Sequence, residues 1–170
     1  MNSWQVATAG EAFAAGQFAR LGWDVSVQYG ANQPEYDLIV SKGDWILKVS
    51  VKGSQDGGWG LTQSYINEAD YHRAADSWLA RHSNKTIFCL VQLKGVPDTE
   101  LPRMYLATPR EICNWLKAAA RGRGDTILYE HHTWSARAHA AGTTDSIPKA
   151  WVFTAERLEQ VATSLASASS

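Results

Sequence analysis

The chain has 170 residues, 45% of them hydrophobic, which suits one domain with a core of its own (residues 1–165, plus a short tail). Sixteen basic and 17 acidic residues leave a formal charge of -1, so there is no global basic field and any nucleic-acid contact has to come from a local patch. Two cysteines without metal-ligand spacing exclude a disulfide framework and a cysteine zinc site, and neither a roughly 20-residue apolar run nor a signal-like start is present, so the expectation is a soluble, cytoplasmic protein with no membrane partner.

In chain order, residues 3–21 form an Ala-rich segment with helical periodicity and Ser3 as the N-cap. Ala7, Glu11, Ala14, Phe18 and Leu21 fall on one face of such a helix. A carboxylate there needs a cation, a metal or a hydrogen-bond donor, because an unpaired buried charge is costly. The competing reading is a Glu at the edge of the face pairing with a surface Lys. Gly22 ends the helix, residues 23–29 alternate as a half-buried strand, and residues 30–34 turn it.

Two aliphatic, β-branched runs follow, residues 35–40 and 45–52, joined by a turn over residues 41–44; they read as an antiparallel pair. Side chains alternate along a strand, so Glu35, Asp37 and Ile39 share one face of the first, and Lys48, Ser50 and Lys52 one face of the second. The pair thus sets a carboxylate opposite an amine. Residues 53–64 are rich in Gly and polar side chains and are expected to form an exposed, mobile loop. Trp59 within it either stacks on a base or packs down as a loop anchor; the other seven tryptophans are mostly core candidates.

Residues 67–81 read as a helix with Ala69, Ala74, Ala75, Trp78 and Leu79 inward. Residues 86–93, with Cys89, make the clearest buried strand, and residues 103–107 a shorter one. Thr108-Pro109-Arg110-Glu111 supplies an N-cap, a Pro at the first helical position and an acid in the first turn, starting a helix to residue 120 that contains Cys113. Residues 126–131 suggest a strand, residues 134–150 mostly loop, and Thr154 caps a last helix over residues 155–165 before a frayed tail at 166–170.

These motifs resemble the PD-(D/E)xK nuclease superfamily, whose pattern is a helix with a Glu, a strand with an Asp and a strand reading Glu-x-Lys or Gln-x-Lys. The residues that carry the likeness are Glu11 in Ala9-Gly10-Glu11-Ala12-Phe13, Asp37 in Glu35-Tyr36-Asp37-Leu38, and Lys52 in Ser50-Val51-Lys52-Gly53-Ser54. Ser50 stands where the family has Glu, Asp or Gln. The resemblance implies an α/β fold, a three-layer restriction-endonuclease-like sandwich with a central mixed β-sheet flanked by helices. It further implies a metal-dependent phosphodiesterase using Mg²⁺ or Mn²⁺ on nucleic acid, DNA in preference to RNA, with a homodimer among the states such proteins adopt. Asp37 and Glu11 would hold the ion and its water, and Lys52 would orient or activate the attacking water.

A neutral Ser50 offers no charge to balance a dication, and two unit charges about 4 Å apart are worth ~4 kcal/mol at an effective dielectric of 20. Glu35, two residues before Asp37 on the same face, is a substitute ligand if the strand bends; Gln55 and Asp56 are further oxygen donors. Ser50, Gln55 and Trp59 complete the set of substrate-contact candidates. The alternative function is a catalytically inactive protein of the same fold that binds nucleic acid or a protein partner, with Asp37 and Lys52 left as an ion pair. His131 and His132 point to opposite faces and do not share one metal easily. Arg121, Arg123, Arg137 and Lys149 read as solvated cations before they read as a phosphate patch.

Overall fold

The computed structural model describes residues 1–28 and 35–167. The turn expected over residues 30–34 lies outside them, as do residues 168–170 of the expected tail.

The first helix, α1 (Ser3–Arg20), starts one residue earlier than Ser3 suggests. Asn2 is the N-cap and completes a capping box with Gln5, each side chain accepting the other's backbone N–H at 2.9 Å. Val6, Gly10, Ala14 and Phe18 form its buried stripe, and Glu11 lies beside that stripe, half-buried, while Ala7 is exposed. The expected face was therefore rotated by one position. The first three strands follow: β1 (Asp24–Val27), β2 (Leu38–Lys42) and β3 (Trp45–Ser54). β2 and β3 form the expected antiparallel hairpin, with Lys42 opposite Trp45, Ile39 opposite Lys48 and Leu38 opposite Val49.

Residues 53–64 are not the mobile loop that their glycines suggest. β3 runs on through Ser54, β4 (Gly58–Gly60) pairs antiparallel with β7 (Ile127–Tyr129), and Gln63–Tyr65 is a short 3-10 turn. Tertiary pairing overrides composition here. A Cβ on Gly58 would come within 2.9 Å of Ile127, so its bare backbone permits the close approach.

After α2 (Tyr71–Leu79), β5 (Thr86–Gln92) runs parallel to β3, and β6 (Arg103–Ala107) pairs antiparallel with β5. The five-stranded mixed sheet has the order β1-β2-β3-β5-β6. Every residue of β5 is buried, as expected of a strand covered on both faces. α3 (Pro109–Ala118) opens on the expected Thr108–Glu111 capping box. A small hairpin of β8 (His131–Thr133) and β9 (Thr144–Ser146) puts a strand in the region expected to be mostly loop. The last helix, α4 (Ala155–Ser167), extends two residues into the expected tail, and Thr154 Oγ1 accepts the Arg157 N–H at 3.0 Å as its cap.

Alternation along the strands divides the core in two. Leu47, Val49, Val51, Ile87, Cys89 and Val91 pack with Ala14 and Phe18 of α1 and with Leu158, Val161, Ala162 and Leu165 of α4. Phe88, Leu90, Tyr105 and Ala107 pack with Trp78 of α2 and with Ile112, Cys113 and Leu116 of α3. Each such Leu, Ile, Val or Phe contributes about 1.5–3 kcal/mol by leaving water. Helices thus cover a mixed sheet, an arrangement compatible with a three-layer α/β sandwich. No helix among the described residues is long and apolar enough to cross a membrane.

Candidate functional site

The site lies where β2 and β3 part. Their regular pairing ends at Leu38 and Val49. Beyond it the Asp37 N–H donates to the Val49 carbonyl at 2.8 Å, and the Val51 N–H, which has lost its strand partner, donates to Asp37 Oδ2 at 2.6 Å. Asp37 is thereby fixed where the two strands part, and no hydrogen bond to its Oδ1 is seen among the described residues. A charge-assisted bond this short holds the carboxylate in one orientation.

Two glycines bring the helix to the same place. A Cβ on Gly53 would stand 2.6 Å from the Val6 carbonyl oxygen, and a Cβ on Gly10 3.2 Å from the Gly53 Cα, so α1 rests directly on the end of β3. The residues next to them in sequence are Glu11 and Lys52. The contact sets Glu11 beside Asp37 and Lys52 closely enough that both charges act on its carboxyl. Burial first, and then the Asp37 charge, push the Glu11 pKa above its ordinary value of 4.5, while Lys52 pulls it back. Of the residues expected from the sequence, Asp37 and Lys52 lie near enough to Glu11 for their charges to act on its carboxyl.

Lys52 is exposed, and no carboxylate lies within 4.0 Å of its amine among the described residues. Its carbonyl accepts the Trp59 indole N–H at 2.8 Å. Trp59 itself is only 3% exposed and meets Tyr105 edge-on at 6.2 Å, so it is a core anchor under Lys52 and is not available to stack on a base. The structure corrects the substrate-contact expectation for Trp59. Ser50 is buried at 2% exposure in the floor of the opening, behind Lys52 on the same face of β3.

Glu35 lines the cleft that Ser50, Lys52 and His82 also line, but it faces His82. Its carboxylate is 3.9 Å from His82 Nδ1, and among the described residues no three His, Cys, Asp or Glu side chains gather as a metal-holding cluster. Gln55 is exposed and donates from Nε2 to the Met1 carbonyl at 2.7 Å, while Asp56 Oδ1 accepts the Ser54 hydroxyl at 2.8 Å. Gln55 is thus tied through its amide nitrogen and Asp56 through one of its two carboxylate oxygens. His131 bonds Ser146 and His132 stacks on Tyr129 at 4.1 Å, so the adjacent histidines do separate to different partners. Arg123 lies over the rings of Tyr71 and Trp134 and beside Asp125.

Sequence reasoning missed the far wall of the opening. Tyr65, Arg81 and His82 line a cleft of about 420 Å³ together with Ser50 and Lys52. The spacing of His82 four residues after Trp78 was the available signal, since it repeats one turn of the buried face of α2. Burial pushes the His82 pKa below its ordinary value, Glu35 opposes that shift and Lys52 adds to it. Cys89 and Cys113 are buried free thiols whose pKa values burial pushes up, which makes both poor nucleophiles.

No family model, curated protein or solved structure matches this chain.

Proposed function

We propose that the protein is a divergent, divalent-metal-dependent nuclease of restriction-endonuclease-like fold that hydrolyses phosphodiester bonds in nucleic acid, with DNA as the expected substrate. The observation that carries this reading is the close seating of α1 on the end of β3 at Gly10 and Gly53, which brings Glu11 to the Lys52 end of that strand, where the Val51 N–H also holds Asp37. A merely structural cluster gains little from setting two carboxylates against each other.

The residues fit a divalent ion at the minimum. Glu11 and Asp37 are hard oxygen donors, and Mg²⁺ is satisfied by one or two carboxylates when water and a substrate phosphate complete its shell. They would hold the ion, with Asp37 oriented by the Val51 N–H. A bound ion supplies Lewis acidity toward a phosphoryl oxygen and a lowered pKa for water. The chain's own work is positional and electrostatic. Lys52 Nζ, as an ammonium, stabilises negative charge developing on the phosphoryl oxygens and orients the attacking water. Glu11 would act as a ligand beside Asp37, and the proton released as water adds to phosphorus passes to solvent. The bond from phosphorus to the leaving sugar oxygen then breaks, and that oxygen picks up a proton from solvent.

Plasmid nicking and single-strand cleavage with Mg²⁺ and with Mn²⁺, run beside Lys52→Ala, test the proposal. Lys52→Ala should lower the rate by at least about a hundredfold. Equal background from both proteins rejects it. A second reading, an inactive protein of the same fold that binds nucleic acid or a protein partner, is favoured by one observation: the position that should carry a third charged group is the buried, neutral Ser50.

A further inference from the structure

Lys52 stands between two hollows. One holds Ser50, Tyr65, Arg81, His82 and Glu35, and the other, about 310 Å³, holds Ser3, Gln55 and Asp56 beside the start of α1. Lys52, Gly60 and Leu61 line both, so the two are continuous across the amine.

We propose that this groove takes a single strand of nucleic acid, with one base in the hollow of Tyr65, Arg81 and His82 and the neighbouring phosphate at Lys52. The inference rests on the nuclease reading for the site and adds to it a substrate class: single strands or frayed ends, in preference to intact duplex.

Three observations carry it. The first is His82. Among the described residues both ring nitrogens are buried without a hydrogen-bond partner, and the Glu35 carboxylate is 3.9 Å away, beyond hydrogen-bond reach. Buried polar atoms are nearly always paired, and this imidazole lines the cleft at 12% side-chain exposure with both nitrogens covered, so a turn of the ring would present one of them to a ligand. Trp78 and Phe88 hold the ring, with centroids 4.4 and 5.1 Å away. A neutral imidazole offers one donor and one acceptor, which suits the mixed edge of a base.

The second is the half-buried Tyr65, with the Arg81 guanidinium 5.9 Å from its ring centroid. The guanidinium lies over one face of the ring, and an Arg plane backed by an aromatic ring is the kind of surface on which bases stack whatever their sequence. The third is charge. Among the described lining residues of both hollows the cations are Lys52 and Arg81, and Glu35 and Asp56 stand with them. A duplex binder draws its affinity from many neutralised phosphates, and this groove has no such track. Base contacts must supply what phosphate contacts do not.

Fluorescence anisotropy in EDTA, where turnover is suppressed, reads binding alone. The probes are a labelled DNA strand of about 12 nucleotides, the same sequence as RNA, and the corresponding DNA duplex. The single strands should bind at least about tenfold tighter than the duplex, and the DNA and RNA arms show which sugar is preferred. Tyr65→Ala should weaken single-strand binding roughly ten- to a hundredfold, and Tyr65→Phe should retain it. Exposed Arg81→Ala, which leaves packing intact, should weaken it several-fold, so that a folding defect in Tyr65→Ala does not shield the claim. Equal or tighter duplex binding, or single-strand affinity unchanged in both alanine variants, overturns the inference. Single-strand preference without cleavage by wild type rejects the nuclease reading alone. Cleavage that depends on Lys52 without single-strand preference rejects this inference alone.

Discussion

Two charge clusters in this molecule are built on opposite terms. At the junction of α3 and α4, Arg157 is 6% exposed and fully engaged: Nε and Nη2 donate to the Leu106 carbonyl at 3.2 and 3.1 Å, Nη2 to both Glu111 oxygens at 2.9 and 2.8 Å, and Nη1 to Gln160 at 3.0 Å. Glu111 is in turn the acid of the α3 capping box. At the open end of β3, among the described residues, Lys52 has no carboxylate within 4.0 Å, Glu11 and Asp37 repel, and the His82 ring nitrogens have no hydrogen-bond partner. The first cluster is complete within the chain and the second is not. Polar groups that a fold leaves unsatisfied are those it holds for something else.

The largest effects should separate the clusters by what they disturb. Lys52→Ala is expected to remove at least about a hundredfold of strand-cleavage rate while changing unfolding free energy by no more than about 0.5 kcal/mol in urea titrations. Arg157→Ala should do the reverse. It leaves Glu111 without its cation and the Leu106 carbonyl without a donor, costing about 3 kcal/mol of stability with the remaining folded protein active. If Lys52→Ala destabilises as much as Arg157→Ala, the contrast is lost and Lys52 is structural.

Next in size is Gly53→Ala. Its Cβ would meet the Val6 carbonyl at 2.6 Å, so α1 must lift from the end of β3. A loss of about 1–3 kcal/mol is expected, with a fall in cleavage rate beyond what the unfolded fraction explains, because Glu11 moves with the helix. Unchanged kinetics in the folded fraction would show that the placement of α1 does not matter to the site.

A smaller effect has the opposite sign. The Glu11 carboxyl has a raised pKa, so the folded state binds its proton more tightly than the unfolded chain; this contribution is full below about pH 4.5 and is lost as pH rises through the raised value. Glu11→Gln should therefore stabilise the protein at neutral pH, by roughly 0.5 kcal/mol or less given that the group is partly solvated, or ~1–2 °C in Tm, while impairing cleavage. His82 runs the other way. Its lowered pKa gives stability that is present above about pH 6.5 and lost on acidification, a loss that His82→Phe should flatten in pH-dependent melts.

Much of this was legible in the sequence because it follows from local periodicity. The β2–β3 hairpin, the fully buried β5, β6 and the Thr108 capping box are set by alternation, apolar runs and cap residues. Glu11, Asp37 and Lys52 could be picked out as an acid on a helix and an acid and amine on paired strands. What the residues did not reveal depends on distant contacts. Gly58-Trp59-Gly60 looks like loop until Ile127–Tyr129 pairs with it, and His82 becomes a cleft wall only when α2 packs over Phe88. Ser3 and Asn2 are near-equal caps, and only the reciprocal Gln5 bond decides between them. The glycines adjoining Glu11 and Lys52 were visible, but their meeting across the sheet was not.

The central claim, that Glu11 and Asp37 form one cation-binding pair, is tested most directly by titrating Mn²⁺ into wild type, Glu11→Gln, Asp37→Asn and the double variant, with electron paramagnetic resonance reporting free ion. Wild type should bind one Mn²⁺, each single substitution should weaken binding at least about tenfold, and the double variant should be little worse than the singles, as for residues that act as a unit. Wild type that binds no Mn²⁺, or binding that survives both substitutions, would contradict it.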